Sequence, residues 1–324
     1  MIEIFKTNSQ NKLEVITEEV YMAKDFNPQH CWINLVNPSD KEVALISSMS
    51  GVDDDAIKAA LDDEERSRIE LEDTHALVLV DIPVIEEEDD YYSYFTIPLG
   101  TIVKDDLFIT VCLKDTAVIR DFIRNRIKGF STSMKSRFMF QILGNTAAKF
   151  LSYLKQIDKA SQRIQVELRK STRNKEILQM LDLQNSLVYF STSLTGNDAV
   201  ISKIMNAKGQ LGQFLRIYEE DMDILEDVSI ETKQAIEMCS IYRSILATTT
   251  EGYASVISND ANSVMKLLTS ITLVISIPTL IASIWGMNTW VPGQSSWIGF
   301  TVLAIVSFVV TAASIWILKK KKLL

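Results

Sequence analysis

The 324-residue chain lacks the residues from which covalent frameworks and catalytic centres are usually built. It holds three Cys, at 31, 112 and 239, and two His, at 30 and 75. An odd Cys count without CxxC spacing excludes a disulfide scaffold and argues against a zinc knuckle or an iron–sulfur site. The two His lie far apart in sequence, and each is expected to play a structural or surface role. Gly144-Asn145-Thr146-Ala147-Ala148-Lys149 does not match a phosphate loop. No Ser/His/Asp or paired-carboxylate pattern can be argued, so an enzyme is disfavoured. The N-terminus, MIEIFKTNSQ, has no basic-then-apolar signal pattern. Proline is absent from about residue 116 to Pro278. Charge is absent for longer still: Lys266 is the last charged residue before Lys319, which leaves 52 consecutive uncharged positions, 267–318. A soluble domain has no reason to avoid charge for that long.

About twenty apolar residues cross a bilayer as a helix. The uncharged run suits two crossings, Leu267–Trp285 and Trp297–Leu318. Between them Asn288, Pro292, Gly293 and Gln294 are turn and breaker residues. Lys266 precedes the first crossing, Lys319–Lys322 follow the second, and the turn is uncharged. The positive-inside tendency therefore puts both termini in the cytosol, with residues 286–296 outside a plasma or inner membrane. Free thiols fit that compartment. Trp285, Trp290, Trp297 and Trp316 sit near span ends, where interfacial anchoring explains them.

The rest of the chain reads as an α+β membrane protein with a large cytosolic part. The first 130 residues form an α/β domain with a layered α/β/α reading. Strands are expected at Ile2–Phe5, Leu13–Ile16, Cys31–Val36, Ala76–Ile85, Tyr92–Val103 and Leu107–Leu113, each rich in β-branched or aromatic residues. Helices are expected around Ser39–Met49, where Ser39 and Glu42 form a capping-box pattern, and Asp53–Ala60. A helix from Thr116 to Lys128 is followed by a hairpin over 131–217. Its long arms run from Met134 to Lys170 and from Glu176 to Met205, with Thr195-Gly196-Asn197 a weak point in the second. A stalk helix over 218–266 runs into the first span, and residues 319–324 form a basic tail. Helices this long cannot bury a face alone and should pack on one another or on neighbouring subunits.

The net charge of 33 − 42 = −9 is unevenly spread. Residues 53–90 hold 16 acids against three bases, residues 118–175 hold 14 bases against three acids, and residues 219–237 hold eight acids against one base. Solvated helix faces account for much of this. The functional reading is that acidic faces collect divalent cations while the basic helices balance them. The aromatics of the basic segment do not interleave as a stacking platform requires, so nucleic acid is not expected as a partner.

Leading into and along the first span, Asn262, Thr269, Thr272, Ser276, Thr279 and Ser283 recur at spacings of 7, 3, 4, 3 and 4. They form an a/d stripe of small polar residues on an otherwise apolar helix. Two accounts compete. Membrane Ser and Thr often bond their own backbone one turn back, or let helices approach closely. Alternatively, several copies of the helix surround a wet path. Mg²⁺ releases its waters reluctantly, so an uncharged ring could grip the hydration shell by hydrogen bonds. Pro278 points to a local irregularity of the kind tolerated where neighbours or water satisfy the freed carbonyl. The span ends in Trp285-Gly286-Met287-Asn288. Gly286 would permit a sharp exit from the helix, and Asn288 could present its side-chain carbonyl to an incoming ion.

Gly286-Met287-Asn288 at the end of the first of two C-terminal spans resembles the signature of the CorA family of divalent-cation channels. The stretch from Ser258 to Thr269 and the Lys-rich tail are also similar to that family. The likeness is one of architecture along the chain and is close in sequence only from about Glu251. It implies a homopentamer in a lipid membrane, with a cytosolic α/β domain and a stalk that becomes the inner span. It further implies a selectivity filter at Gly286, Met287 and Asn288, and pore-lining positions at Thr279, Ser276, Leu268 and Asn262. Leu268 would form the hydrophobic constriction. The implied cargo is Mg²⁺, with Co²⁺ or Ni²⁺ also passing, and Mg²⁺ would also regulate. No organic cofactor is implied. Acidic regulatory positions fall by the same matching on Asp227 and Glu251, with partners in the segment after Ile85, at Glu86 or Asp89. The outer turn Thr289–Ser296 departs from several family members in having no acid. A Zn²⁺ transporter of the same superfamily is the alternative, although Met287 keeps the magnesium-type tripeptide. A tethered scaffold would give no reason for Asn288 or the hydroxyl stripe.

Overall fold

The computed structural model describes residues 1–10, 12–21, 29–88, 91–104, 107–170, 174–206, 214–215, 217–288, 293 and 296–321. The chain divides into two compact units, Met1–Thr248 and Thr249–Leu324.

In the first unit seven strands form one sheet: β1 (Ile2–Thr7), β2 (Leu13–Ile16), β3 (Cys31–Val36), β4 (Arg68–Leu71), β5 (Ala76–Glu88), β6 (Tyr91–Lys104) and β7 (Leu107–Cys112). Their order is β2-β1-β3-β7-β6-β5-β4. Every pairing is antiparallel except β3 with β7, where Trp32 lies beside Phe108 and Ile33 beside Ile109. The strands alternate between two buried faces, because side chains on a strand point to opposite sides. On one face Ile4, Ile33, Leu79 and Ile109 meet α2 (Asp40–Ser50) and α3 (Asp54–Lys58) through Val43, Ile46 and Ile57. On the other, Trp32, Val80, Leu99 and Phe108 meet α4 (Ala117–Ile123), α5 (Lys135–Lys170) and α6 (Asn174–Asn206). Trp32, Phe108, Phe122, Phe130 and Phe138 form one aromatic nest, with Phe108 and Phe138 stacked at 4.3 Å and Trp32 edge-on to Phe138 at 5.0 Å. Burying each such ring stabilises the fold by about 1.5–3 kcal/mol. The α/β/α layering expected from the sequence is therefore present. A four-residue helical turn, α1 (Glu18–Tyr21), lies beside β2.

Several local features follow from the residue types. The Ser39/Glu42 capping box forms: Glu42 N–H donates to Ser39 Oγ and Ser39 N–H to Glu42 Oε2 at 2.8 Å. Ser39 N–H first, then the N-terminal ammonium and the Ser39 hydroxyl, hold the Glu42 carboxyl below the usual carboxylate range. Gly51 closes α2 at φ 64°, a left-handed conformation that favours glycine. Strand β4 was not legible in advance, because its sequence, Arg-Ile-Glu-Leu, sits inside an acidic stretch. The helix expected at Thr116–Lys128 stops at Ile123. The turn expected at Ser171–Asn174 falls largely outside the described residues.

The expected weak point at Thr195–Asn197 is instead a clamp inside an uninterrupted α6. Beyond Leu79 the outer edge of β5 has lost β4 as a partner. There the Asn197 carboxamide accepts from Asp81 N–H at 2.9 Å, accepts from Ser67 Oγ at 3.0 Å, and donates to Asp81 C=O at 2.7 Å. It takes the place of a neighbouring strand. Asp81 faces Pro98 across the ladder, and a proline fits there because both backbone groups of Asp81 point outward to Asn197. Gly196 lets Ser67 approach, since a β-carbon there would lie 3.1 Å from Ser67 Oγ.

The last two helices are α7 (Glu219–Trp285) and α8 (Trp297–Lys320). The start of α7 is tied to the first turn of α5. Asp221, fully buried, accepts from Ser136 Oγ at 2.5 Å and Arg137 Nε at 2.9 Å, and Glu220 accepts from Arg137 at 2.9 Å. These carboxylates, Asp221 foremost, push the Arg137 guanidinium above its ordinary range. The basic helix thus balances the acidic start of α7, as the charge distribution suggested. Both α7 and α8 contain segments long and apolar enough to cross a membrane, and almost none of either segment is buried within the chain. The three Cys are buried thiols, and burial pushes Cys112 and Cys239 each up to about 11.

Replacing Asn197 by Ala should leave the Asp81 backbone groups unpaired. The expected loss is about 1–3 kcal/mol, seen as a lower melting temperature of the first unit by circular dichroism of the detergent-solubilised chain, whereas Asn197→Asp should lose only the donated bond.

Candidate functional site

The C-terminal unit is built on two helices, and each has one half-buried face. On α7 the buried or half-buried positions are Ser270, Val274, Ile277, Pro278, Ile281 and Trp285; on α8 they are Gly299, Leu303, Ser307, Thr311, Ser314 and Leu318. The helices run in opposite directions. Leu318 closes a groove of about 250 Å³ with Asn262, Thr269 and Ser270, while the tip of Trp285 lies against Gly293 and Gly299 at the other end. A β-carbon on Gly299 would collide with the carbonyl of Gly293, so the chain can turn closely here only with glycine at 299.

At 100° per residue the mean direction of Thr269, Thr272, Ser276, Thr279 and Ser283 lies about 200° around α7 from the α8-facing positions. The hydroxyls from Thr272 to Ser283 are on the side away from α8, Thr269 also lines the groove closed by Leu318, and every member of the stripe is exposed in the single chain. Asn262 also lies on an exposed part of α7, and Leu268 is 57% exposed. Four of the hydroxyl protons are already used. Thr269 donates to Met265 C=O at 2.8 Å, Thr272 to Leu268 C=O at 2.8 Å, Ser276 to Thr272 C=O at 2.7 Å and Thr279 to Ile275 C=O at 2.8 Å. The local account of these residues is therefore correct as far as the protons go. It leaves the oxygen lone pairs pointing away from the helix, so the stripe is a row of acceptors. Pro278 has no N–H to give to Val274, so that carbonyl lacks its usual helix donor.

At the end of α7, Gly286 N–H still bonds Ala282 C=O at 3.0 Å and Met287 N–H bonds Ile284 C=O at 3.4 Å. Gly286 does not take a left-handed conformation. The left-handed glycine of this turn is Gly293, at φ 83°. A β-carbon at Gly286 would meet only ordinary contacts within the chain, so nothing in the single chain demands glycine there. Asn288 and Met287 are exposed at the helix end.

The acids singled out for regulation do not form one site within the chain. Asp227 is exposed on α7 with Glu231 one turn later; partial burial first, and then the Asp227 charge, push the Glu231 carboxyl up. Glu86 at the end of β5 is paired with Lys114 at 2.5 Å. Glu251 is exposed on α7 in the second unit. Asp89 lies outside the described residues. Among the described residues no group of three His, Cys, Asp or Glu could hold a metal ion. Near the basic end of α8, Lys320 Nζ sits 5.2 Å over the Trp316 ring, an arrangement suited to an interfacial anchor.

Sequence reasoning missed the feature on the first unit that His75 helps to form. Thr74 and the acids of α3 and β4 come together around it only through the sheet topology, and no short-range spacing announces that.

The sequence pattern of the CorA-like Mg²⁺ transporter protein family matches residues 27–320. The cobalt/magnesium transport protein CorA of Methanocaldococcus jannaschii is 24% identical over 333 aligned positions, covering 99% of this chain and 98% of that protein. The complete structure of the CorA magnesium transporter from the same organism superposes with a TM-score of 0.77 at 21% identity, covering 98% of this chain and 97% of the other. The full-length CmaX structure superposes with a TM-score of 0.69 at 16% identity, covering 98% and 96%.

Proposed function

The chain belongs to the CorA-like Mg²⁺ transporter family, a family of membrane transporters of divalent cations, and from that premise we propose that it is a homopentameric channel that takes up Mg²⁺, and also Co²⁺ and Ni²⁺, as hydrated ions. Five copies of α7 gather with their hydroxyl stripes inward and α8 outside, in a lipid membrane with both termini cytosolic. Asn288, at the tip of Gly286-Met287-Asn288, forms the entrance ring. Below it come Ser283, Thr279, Ser276, Thr272 and Thr269, then the Leu268 constriction and Asn262.

The observation that carries this reading is the direction of the hydroxyl bonds. Waters bound to a dication turn their protons outward, so a hydrated ion presents donors on its surface. A wall suited to it must offer acceptors, and four hydroxyls of the stripe have committed their protons to their own helix. Their lone pairs can then hold the water shell without removing it, which suits an ion that dehydrates reluctantly. Placing the stripe on the side away from α8 allows α7 to be the inner helix. The alternative, hydroxyls facing acyl chains, would leave those acceptors unsatisfied in hydrocarbon.

Gating follows from electrostatics between subunits. Asp227, Glu251 and Glu86, with Asp89 from the segment that follows β5, share Mg²⁺ between neighbouring chains. When cytosolic Mg²⁺ falls, unpaired carboxylates repel and the constriction opens. The absence of a three-ligand metal group among the described residues of one chain fits ligands drawn from two subunits.

Purified protein in proteoliposomes should take up Mg²⁺, Co²⁺ and Ni²⁺ above empty vesicles, and Asn288→Ala should reduce Mg²⁺ uptake at least tenfold. Uptake of Zn²⁺ in preference to Mg²⁺ would favour the zinc-type reading, and no uptake would exclude transport by the isolated protein. In the same vesicles Asp227→Ala should raise the internal Mg²⁺ concentration needed for inhibition by roughly five- to tenfold, as expected for a coupling of about 1–1.4 kcal/mol. An unchanged inhibition curve would remove Asp227 from the gate.

A further inference from the structure

A cleft of about 420 Å³ opens in the first unit between the start of α3 and the β4–β5 hairpin. Asp53, Asp54 and Asp55 line one side, and Glu70, Glu72 and Arg68 the other. Arg68 is already engaged by Glu65 and by Glu70, the latter at 2.6 Å. It therefore does not neutralise Asp53–Asp55 or Glu72, whose carboxylates have no ion pair or hydrogen bond among the described residues. An acidic cleft of this kind is not a site by acidity alone. The second observation is His75. It is 2% exposed, and its ring lines the cleft. Its Nδ1 lies 3.1 Å from Thr74 Oγ1, and no other polar partner of the ring occurs among the described residues. With Nδ1–H donating to Thr74, the Nε2 lone pair is left for the cleft. An imidazole fixed by a hydrogen bond at one nitrogen and open at the other is the usual posture of a metal-ligating His.

We propose that this cleft is an intrachain site for a partly hydrated first-row transition-metal dication, Co²⁺, Ni²⁺ or Zn²⁺, bound directly by His75 Nε2 and held through water by the carboxylates of Asp53–Asp55 and Glu72. The imidazole selects such an ion over Mg²⁺, which prefers oxygen. No three metal-ligating side chains converge on a bare ion, so the ion keeps most of its water, and the size of the cleft leaves room for it. Occupancy would tie the start of α3 to the β4–β5 hairpin. The site lies within one chain and stands apart from the transport reading.

The chain contains two His, so an imidazole signal has two possible sources. Full-length protein without a histidine tag, loaded with one equivalent of Co²⁺ per chain, should show one imidazole in the cobalt-edge X-ray absorption spectrum. The signal should persist in His30→Gln and vanish in His75→Gln. The surface variant Asp53→Asn/Asp54→Asn/Glu72→Gln, which leaves the core untouched, should weaken Co²⁺ binding by calorimetry tenfold or more. Oxygen-only scattering in the unaltered protein, an imidazole that survives in His75→Gln, or unchanged affinity in the surface variant would each overturn the proposal.

Discussion

The arrangement of this protein turns on what a hydroxyl can do in a membrane helix that lies in a stretch of 52 uncharged residues. In hydrocarbon a polar group must find a partner within the protein. Thr269, Thr272, Ser276 and Thr279 of α7 each give their proton to the carbonyl one turn back, which satisfies the donor and leaves an acceptor behind. One acceptor is a minor cost. A column of them on one side of the helix, opposite the side turned to α8, makes that side unsuited to lipid and suited to water. The same bonds that make the hydroxyls tolerable in a membrane helix set the polarity of the face they form.

The first unit is held together by packing and by polar clamps. Its sheet is covered on both sides, and polar side chains take over wherever a backbone or helix end would go unsatisfied. Asn197 acts as a stand-in strand for Asp81, and the buried Asp221, with Ser136 and Arg137, binds the start of α7 to α5. These contacts place charge of opposite sign together inside the unit, while Asp227 and Glu251 remain exposed on α7. Exposed acids along one long helix are of little value to a single chain and become useful when copies of that helix stand close to one another.

Much of this was legible in the sequence because it depends on short-range periodicity. The alternating strands, the Ser39/Glu42 cap, the two spans and the 3-4 spacing of the hydroxyls each leave a local signature. What was not legible depends on residues far apart in the chain. Strand β4 has few apolar residues and exists because β5 offers it an edge. Thr195-Gly196-Asn197 reads as a helix breaker, yet Gly196 is there for the approach of Ser67 and Asn197 for the edge of β5. Gly286 reads as the point of exit from the helix, and nothing local marks Gly293 as the glycine that takes the left-handed conformation. His75 gave no signal at all, since its acidic neighbours arrive by way of the sheet.

The central claim is that the hydroxyl side of α7 faces water and the opposite sides do not. It can be tested directly by single-cysteine substitution along α7 in membranes, with a membrane-impermeant thiol reagent; the three native thiols are buried and should react slowly. Labelling should rise at Thr272, Ser276, Thr279 and Ser283 and stay at background at Leu273, Ile277, Leu280 and Ile284. Equal labelling around the helix, or labelling confined to the apolar positions, would contradict the account.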